Sequence, residues 1–171
     1  ETDMKNKMKY FFTPVLFLIL ITKFVNAQSD DQCFKCHIDL DDAKAILFKT
    51  DIHHLKGISC SACHGGDATS DDMEVAMSKE KGYIGVPTKE KRHQVCVNCH
   101  SDADKMKRFG SKLPTDQFEK LKSSIHFQPS YNNKGPMADC ITCHSVHDIK
   151  SVNDPNSKVY PTRITELCGS C

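Results

Sequence analysis

Tryptophan is absent from these 171 residues, and aromatic side chains make up only 8% of them. Apolar residues of every kind reach 39% against 26% charged, which is little material for a conventional hydrophobic core. Blocks of basic residues are missing too, so a surface for nucleic acid or another polyanion is excluded. The apolar run over residues 11–22 is too short for an ordinary membrane-spanning helix, and Lys23 follows it. Strand-like patterning is confined to isolated runs around Val152 and Val159. Finally, no cysteine is left over: all ten lie in five Cys-x-x-Cys pairs.

Four of those pairs are followed at once by histidine. They read Cys33-Phe34-Lys35-Cys36-His37, Cys60-Ser61-Ala62-Cys63-His64, Cys96-Val97-Asn98-Cys99-His100 and Cys140-Ile141-Thr142-Cys143-His144. A fifth pair, Cys168 and Cys171, stands where the sequence stops. Two thiols on one turn can add to the vinyl groups along one edge of a haem, and the next imidazole then projects towards its iron. The chain is therefore expected to carry haem c at four complete motifs, with a fifth lacking its histidine. One such motif could be chance or a fragment of a zinc site, but four complete copies, each with its histidine, are a strong signal, and a disulfide scaffold has no reason to place histidine after each complete pair.

His37, His64, His100 and His144 are the expected proximal ligands. Five further histidines, His53, His54, His93, His126 and His147, are candidates for the opposite faces of the irons. Adjacent His53 and His54 cannot both serve one face. His93 stands one turn ahead of Cys96, and His126 lies beside a stripe of Phe118, Leu121 and Ile125. His147 is three residues after His144, so on a continuing turn it would project from the same side of that haem; it is expected to ligate a neighbour. Met73, Met77, Met106 and Met137 are the alternative ligands, and a thioether would raise the potential of its haem. Methionine on a helix is more often packing material.

The beginning reads as a secretory leader over residues 1–27. Lys5, Lys7 and Lys9 precede the apolar run, Val25-Asn26-Ala27 supplies a cleavage site, and Met4 is the natural start. An uncleaved leader is the alternative and would anchor the chain to a membrane. Its removal takes four lysines and two acids from 23 basic and 22 acidic residues, leaving 19 against 20, a net of −1. Haem propionates would make the assembled protein more acidic. The missing final histidine suggests a chain that continues with more haems, an anchor or a catalytic domain.

Residues 28–171 read as one domain, mainly α with long loops and little β structure, packed around its haems. Asp41 or Asp42 is expected to cap a helix through Ala43, Ile46 and Leu47 towards His53, ending at Gly57. Gly65-Gly66 is read as a flexible exit from the second motif. A short helix carries Met73 and Met77, and a loop follows through Gly82, Gly85 and Pro87. Helices are expected over residues 89–100 and 101–109. Thr115 is expected to cap another, Asn153-Asp154-Pro155-Asn156-Ser157 to turn, and a last helix to span residues 164–171.

With these residues in place, the chain resembles the periplasmic multihaem c-type cytochromes. Two stretches carry most of the likeness. One is His54-Leu55-Lys56-Gly57-Ile58-Ser59-Cys60 leading into Cys63-His64-Gly65-Gly66. The other is Cys143-His144-Ser145-Val146-His147, followed by Asp154-Pro155 and Tyr160-Pro161. The resemblance implies export, because haem is attached to such proteins outside the cytoplasmic membrane. The location would be the periplasm or the outer face of that membrane, in anaerobic respiration. It also implies outer-sphere electron transfer between mostly bis-histidine haems. The partners would be redox proteins such as a quinol dehydrogenase or a terminal reductase. The alternative is the amino-terminal part of a nitrite- or hydroxylamine-type multihaem reductase whose active-site haem lies beyond residue 171. No Cys-x-x-Cys-Lys motif, the usual marker of nitrite reduction, occurs here, and no catalytic residue is assigned.

Overall fold

Aspartate begins most of the helices of this protein. In a computed structural model, which describes residues 31–129 and 136–171, Asp31 caps α1 (Gln32–Asp39) and Asp42 caps α2 (Ala43–Phe48). Asp51 caps α3 (Ile52–Leu55), Asp72 caps α5 (Met73–Ala76), Asp102 caps α7 (Ala103–Arg108) and Asp139 caps α9 (Cys140–His144). Each carboxylate accepts a backbone N–H of the first turn, a group that has no partner inside the helix. The remaining helices are α4 (Ser61–His64), α6 (Arg92–His100), α8 (Gln117–Lys122) and α10 (Ile164–Cys168). Short 3-10 turns occupy Lys79–Lys81, Ile125–Phe127 and Pro161–Arg163. Helices of four to nine residues do not persist on propensity alone, so tertiary contacts must hold them.

The mainly α, loop-rich architecture agrees with the sequence expectation. Among the described residues the only β pairing is an isolated antiparallel bridge between Pro129 and Pro136; the runs around Val152 and Val159 lie in turns instead. None of the described helices is long and apolar enough to cross a membrane. The expected leader over residues 1–27 lies outside the described residues.

Several boundaries differ from the sequence reading. The helix expected to run from Ala43 to His53 is broken at Asp51, whose carboxylate starts a new helix by accepting His53 N–H at 2.8 Å. Helix α6 begins at Arg92 rather than at residue 89. Thr115 does not cap α8; Asp116 occupies that position. Ser123 and Ser124 then turn their hydroxyls onto the carbonyls of Lys120 and Leu121, ending the helix ahead of Ile125. Helix α10 stops at Cys168.

Gly65 and Gly66 form a tight exit rather than a loose one. A Cβ on Gly65 would lie 1.9 Å from the Gly82 carbonyl oxygen, and one on Gly66 would lie 2.3 Å from that of Ala76. Both have positive φ, +69° and +86°, where glycine carries no steric penalty. Gly66 N–H donates to Lys81 and Ile84 N–H to the His64 carbonyl, so the 82–85 loop is fastened over the second motif.

The buried hydrophobic residues among those described are Ala45, Ala76, Met106 and Ala138. Larger ones are exposed, including Leu40 at 72%, Leu55 at 66% and Val86 at 90%. Three alanines and one methionine are little to anchor ten short helices, as expected of a chain that packs around its haems. Chain produced without haem attachment should therefore unfold without a cooperative thermal transition in circular dichroism, whereas the haem-loaded protein should show one.

Candidate haem sites

Each Cys-x-x-Cys-His motif occupies a single helical turn. The first lies within α1, the third closes α6 and the fourth constitutes α9. The second begins at Cys60, the residue ahead of α4, and fills that helix. Cysteines three apart on a helix project from one face, as attachment to a single haem edge requires. The second and fourth motifs leave their helices alike. Gly65 (φ 69°, ψ −162°) and Ser145 (φ 71°, ψ −170°) each return their N–H to the second residue of the motif, Ser61 or Ile141. Cys168 ends α10 and Cys171 follows it.

Two motif histidines have their Nδ1 atoms engaged. His37 Nδ1 is 2.8 Å from Asp42 Oδ2, and His64 Nδ1 is 2.9 Å from the Gly85 carbonyl oxygen. His53 follows the same rule, with Nδ1 2.8 Å from Asp51 Oδ1. A carboxylate or carbonyl at Nδ1 fixes the proton there and leaves Nε2 as the basic nitrogen, the arrangement of a metal-binding imidazole. Burial holds His100 and His144 below the ordinary imidazole pKa, which favours the neutral, ligating form; for His100 the neighbouring His53 and His144 add to this.

Two imidazole pairs form across the fold. The rings of His64 and His147 are 6.0 Å apart with planes 6° from parallel, and those of His53 and His100 are 6.0 Å apart at 79°. His147 reaches His64 because α9 ends at His144 and the chain turns away through Ser145 and His147, both at positive φ. His54, by contrast, packs on Phe34 at 4.4 Å and Phe48 at 5.2 Å. His93 sits between Phe118 and Phe127, 5.2 Å from each, and its Nδ1 is buried without a partner. His126 is exposed on the 125–127 turn; its carbonyl accepts Ala138 N–H, two residues ahead of Cys140. Met106 is buried packing material, while Met73 and Met137 are exposed.

Neighbouring motifs are joined by groups that the sequence reading did not single out. Asp31 caps α1 through Phe34 N–H with one oxygen and accepts Cys60 N–H at 2.9 Å with the other, tying the first motif to the second. Burial and this carboxylate push the Cys60 thiol up to about 12, and raise Cys33. Helix α4 packs on α6, bringing the second motif to the third. Asp139, 2% exposed, caps α9 in a capping box with Thr142 and receives the Arg92 guanidinium from the start of α6. There Cys96 and Cys140, the first cysteines of the third and fourth motifs, lie close enough to hydrogen-bond, which holds the Cys96 thiol above its ordinary value. Burial, and then Cys168 and Cys171, raise Cys143 in turn. The five motifs thus adjoin in sequence order. A cap position was visible for each aspartate, since Asp31 stands two residues before Cys33 and Asp139 one before Cys140. What each carboxylate grips across the fold was not.

Among the described residues no three His, Cys, Asp or Glu side chains converge as a zinc ion would require. Paired thiols on single turns, histidines with Nδ1 engaged and a sparse apolar interior all fit haem c. Replacing Arg92 by Met should leave Asp139 buried without its cation and cost the loaded protein about 3 kcal/mol. The guanidinium unfolding midpoint should fall accordingly, with part of the loss recovered when Asp139 is also made apolar.

A family model described as cytochrome c554 and c-prime matches residues 19–65, and one described as cytochrome c3 matches residues 52–171. No curated protein and no solved structure matches the chain. The cytochrome c3 match covers most of the sequence and includes the three later complete motifs and the fifth cysteine pair: the chain belongs to the cytochrome c3 family, multihaem c-type cytochromes that bind haem covalently and transfer electrons.

Proposed function

We propose that this chain relays electrons along a row of haems held mostly between two imidazoles, outside the cytoplasmic membrane. The observation that carries the reading is the closeness of two histidine pairs, each joining a motif histidine to a histidine from elsewhere in the chain. Two metal–nitrogen bonds of about 2 Å, as zinc makes with imidazole, together with the half-width of each ring, come close to the observed 6.0 Å. In this reading His64 and His147 share one iron, and His100 and His53 share another. His54, His93 and His126 remain candidates for the other irons, with His37 and His144 as proximal ligands.

When bound, haem c supplies a one-electron iron couple whose potential follows its axial ligands, burial and nearby charge. The chain's own residues do the rest. Cysteines fix each ring covalently, and Asp42, Asp51 and the Gly85 carbonyl keep the Nδ1 proton in place. Imidazole from two of these histidines on each iron would leave no axial position for substrate and would keep potentials low. Charge would then pass between haems on neighbouring motifs. The partners proposed are redox proteins, a quinol dehydrogenase on one side and a terminal reductase on the other. Export is supported by the family, whose members are usually periplasmic, and by the leader pattern of residues 1–27.

The haems of the four complete motifs should all be low-spin in matured protein. His147→Ala and His53→Ala should each convert one haem, and a different one, to high-spin in electronic and electron paramagnetic resonance (EPR) spectra. Unchanged spectra would remove the histidine concerned from the ligand set. A high-spin haem in the unsubstituted protein that binds nitrite or hydroxylamine would instead favour the reductase reading.

A further inference from the structure

Asp51 is 1% exposed and sits where two distant parts of the chain meet. Its Oδ1 accepts both the backbone N–H and the Nδ1 of His53, each at 2.8 Å. Its Oδ2 accepts Ile149 N–H at 2.7 Å, two residues beyond His147. The same two segments are joined again by Ile52 N–H on the Ile149 carbonyl at 2.8 Å. Lys150 Nζ adds bonds to the Thr50 carbonyl and hydroxyl, at 2.7 and 2.6 Å. One buried carboxylate therefore grips the imidazole that faces His100 and the segment bearing the imidazole that faces His64.

We propose that Asp51 is a positioning residue that locks the second axial ligands of two different haems to each other. The proposal rests on the histidine pairing given above. His147 adopts φ 63° just after Ser145 at φ 71°, and such backbone persists only where its surroundings over-determine it. The Ile149 N–H bond to Asp51 supplies that restraint on one side. The hydroxyl of Ser145, which donates to Asp148, supplies it on the other. On the His53 side the carboxylate orients the ring and strengthens its donation to iron. Neither ligand can shift unless this one group lets go.

Asparagine at this position has a single acceptor oxygen. If that oxygen keeps His53, the amide NH2 faces the Ile149 N–H, donor against donor. In haem-loaded Asp51→Asn, two low-spin EPR species should therefore leave their g values, namely those lost in His53→Ala and in His147→Ala. The other haems should stay unchanged, and both affected midpoint potentials should move. Asp51→Glu keeps the charge and both oxygens but displaces them, so it should move the same two species even if the Asn variant fails to load haem. Movement of one species alone, or of none, at normal haem content would overturn the lock while leaving the pairing intact. If the two histidine variants produce no high-spin haem, the pairing itself is wrong and the lock falls with it.

Discussion

Every haem motif needs one turn of helix, held in place and then abandoned. Two sulfurs must share a face and the following imidazole must point at the same ring, which a single turn achieves and a longer helix does not improve. A lone turn is unstable in water because nucleation costs more than one hydrogen bond returns. Aspartate answers this at both the first and fourth motifs, where Asp31 and Asp139 satisfy the orphan N–H groups that open the turn. At the far end, Gly65 and Ser145 take the chain out of the helix within one residue of the histidine. The helices are short because their purpose is local.

The same carboxylates also determine how the turns meet. A cap needs only one oxygen, and the second is free to hold something else. Asp31 uses it on Cys60 N–H, Asp51 on Ile149 N–H, and Asp139 receives Arg92. Burying a charge is costly unless each lone pair is satisfied. Asp51 and Asp139, both buried, and the half-buried Asp31 are satisfied by donors from two separate segments, which ties their positions to this arrangement of the motifs. Specificity comes from polar groups at the junctions, while apolar side chains such as Leu55 and Val86 remain outside the polypeptide's own small core.

How much of this was legible follows from which interactions are local. The attachment turns and the near absence of strand could be read from Cys-x-x-Cys-His spacing and composition. The expectation that His147 would turn towards another motif rested on a continuing helical turn, whereas its ring comes beside His64 through positive-φ residues. The different surroundings of His53 and His54 could not be read. They depend on Asp51 gripping one ring while Phe34 and Phe48 take the other, and on a segment nearly a hundred residues further along. Gly65 and Gly66 looked like flexibility because a sequence shows missing side chains, not the Gly82 and Ala76 carbonyls that occupy their space. The helix break at Asp51 was hidden for a related reason: a cap two residues ahead of His53 outweighs the continuing apolar period.

Proximity of motifs and ligation of motifs follow different orders, and the difference matters for stability. Successive motifs adjoin one another, so the relay itself involves only near neighbours in the chain. The proposed ligand pairs instead span 53–100 and 64–147, and these intervals overlap without nesting. Each bond to iron closes a long loop, and closing a long loop removes entropy from the unfolded chain much as a disulfide does. Because the two loops interlace, neither opens without disturbing the segment that carries the other's ligand, and Asp51 stands at the crossing. With the proposed pairing, a chain poor in apolar residues would thereby be held by metal–imidazole cross-links where a larger domain would use a hydrophobic core.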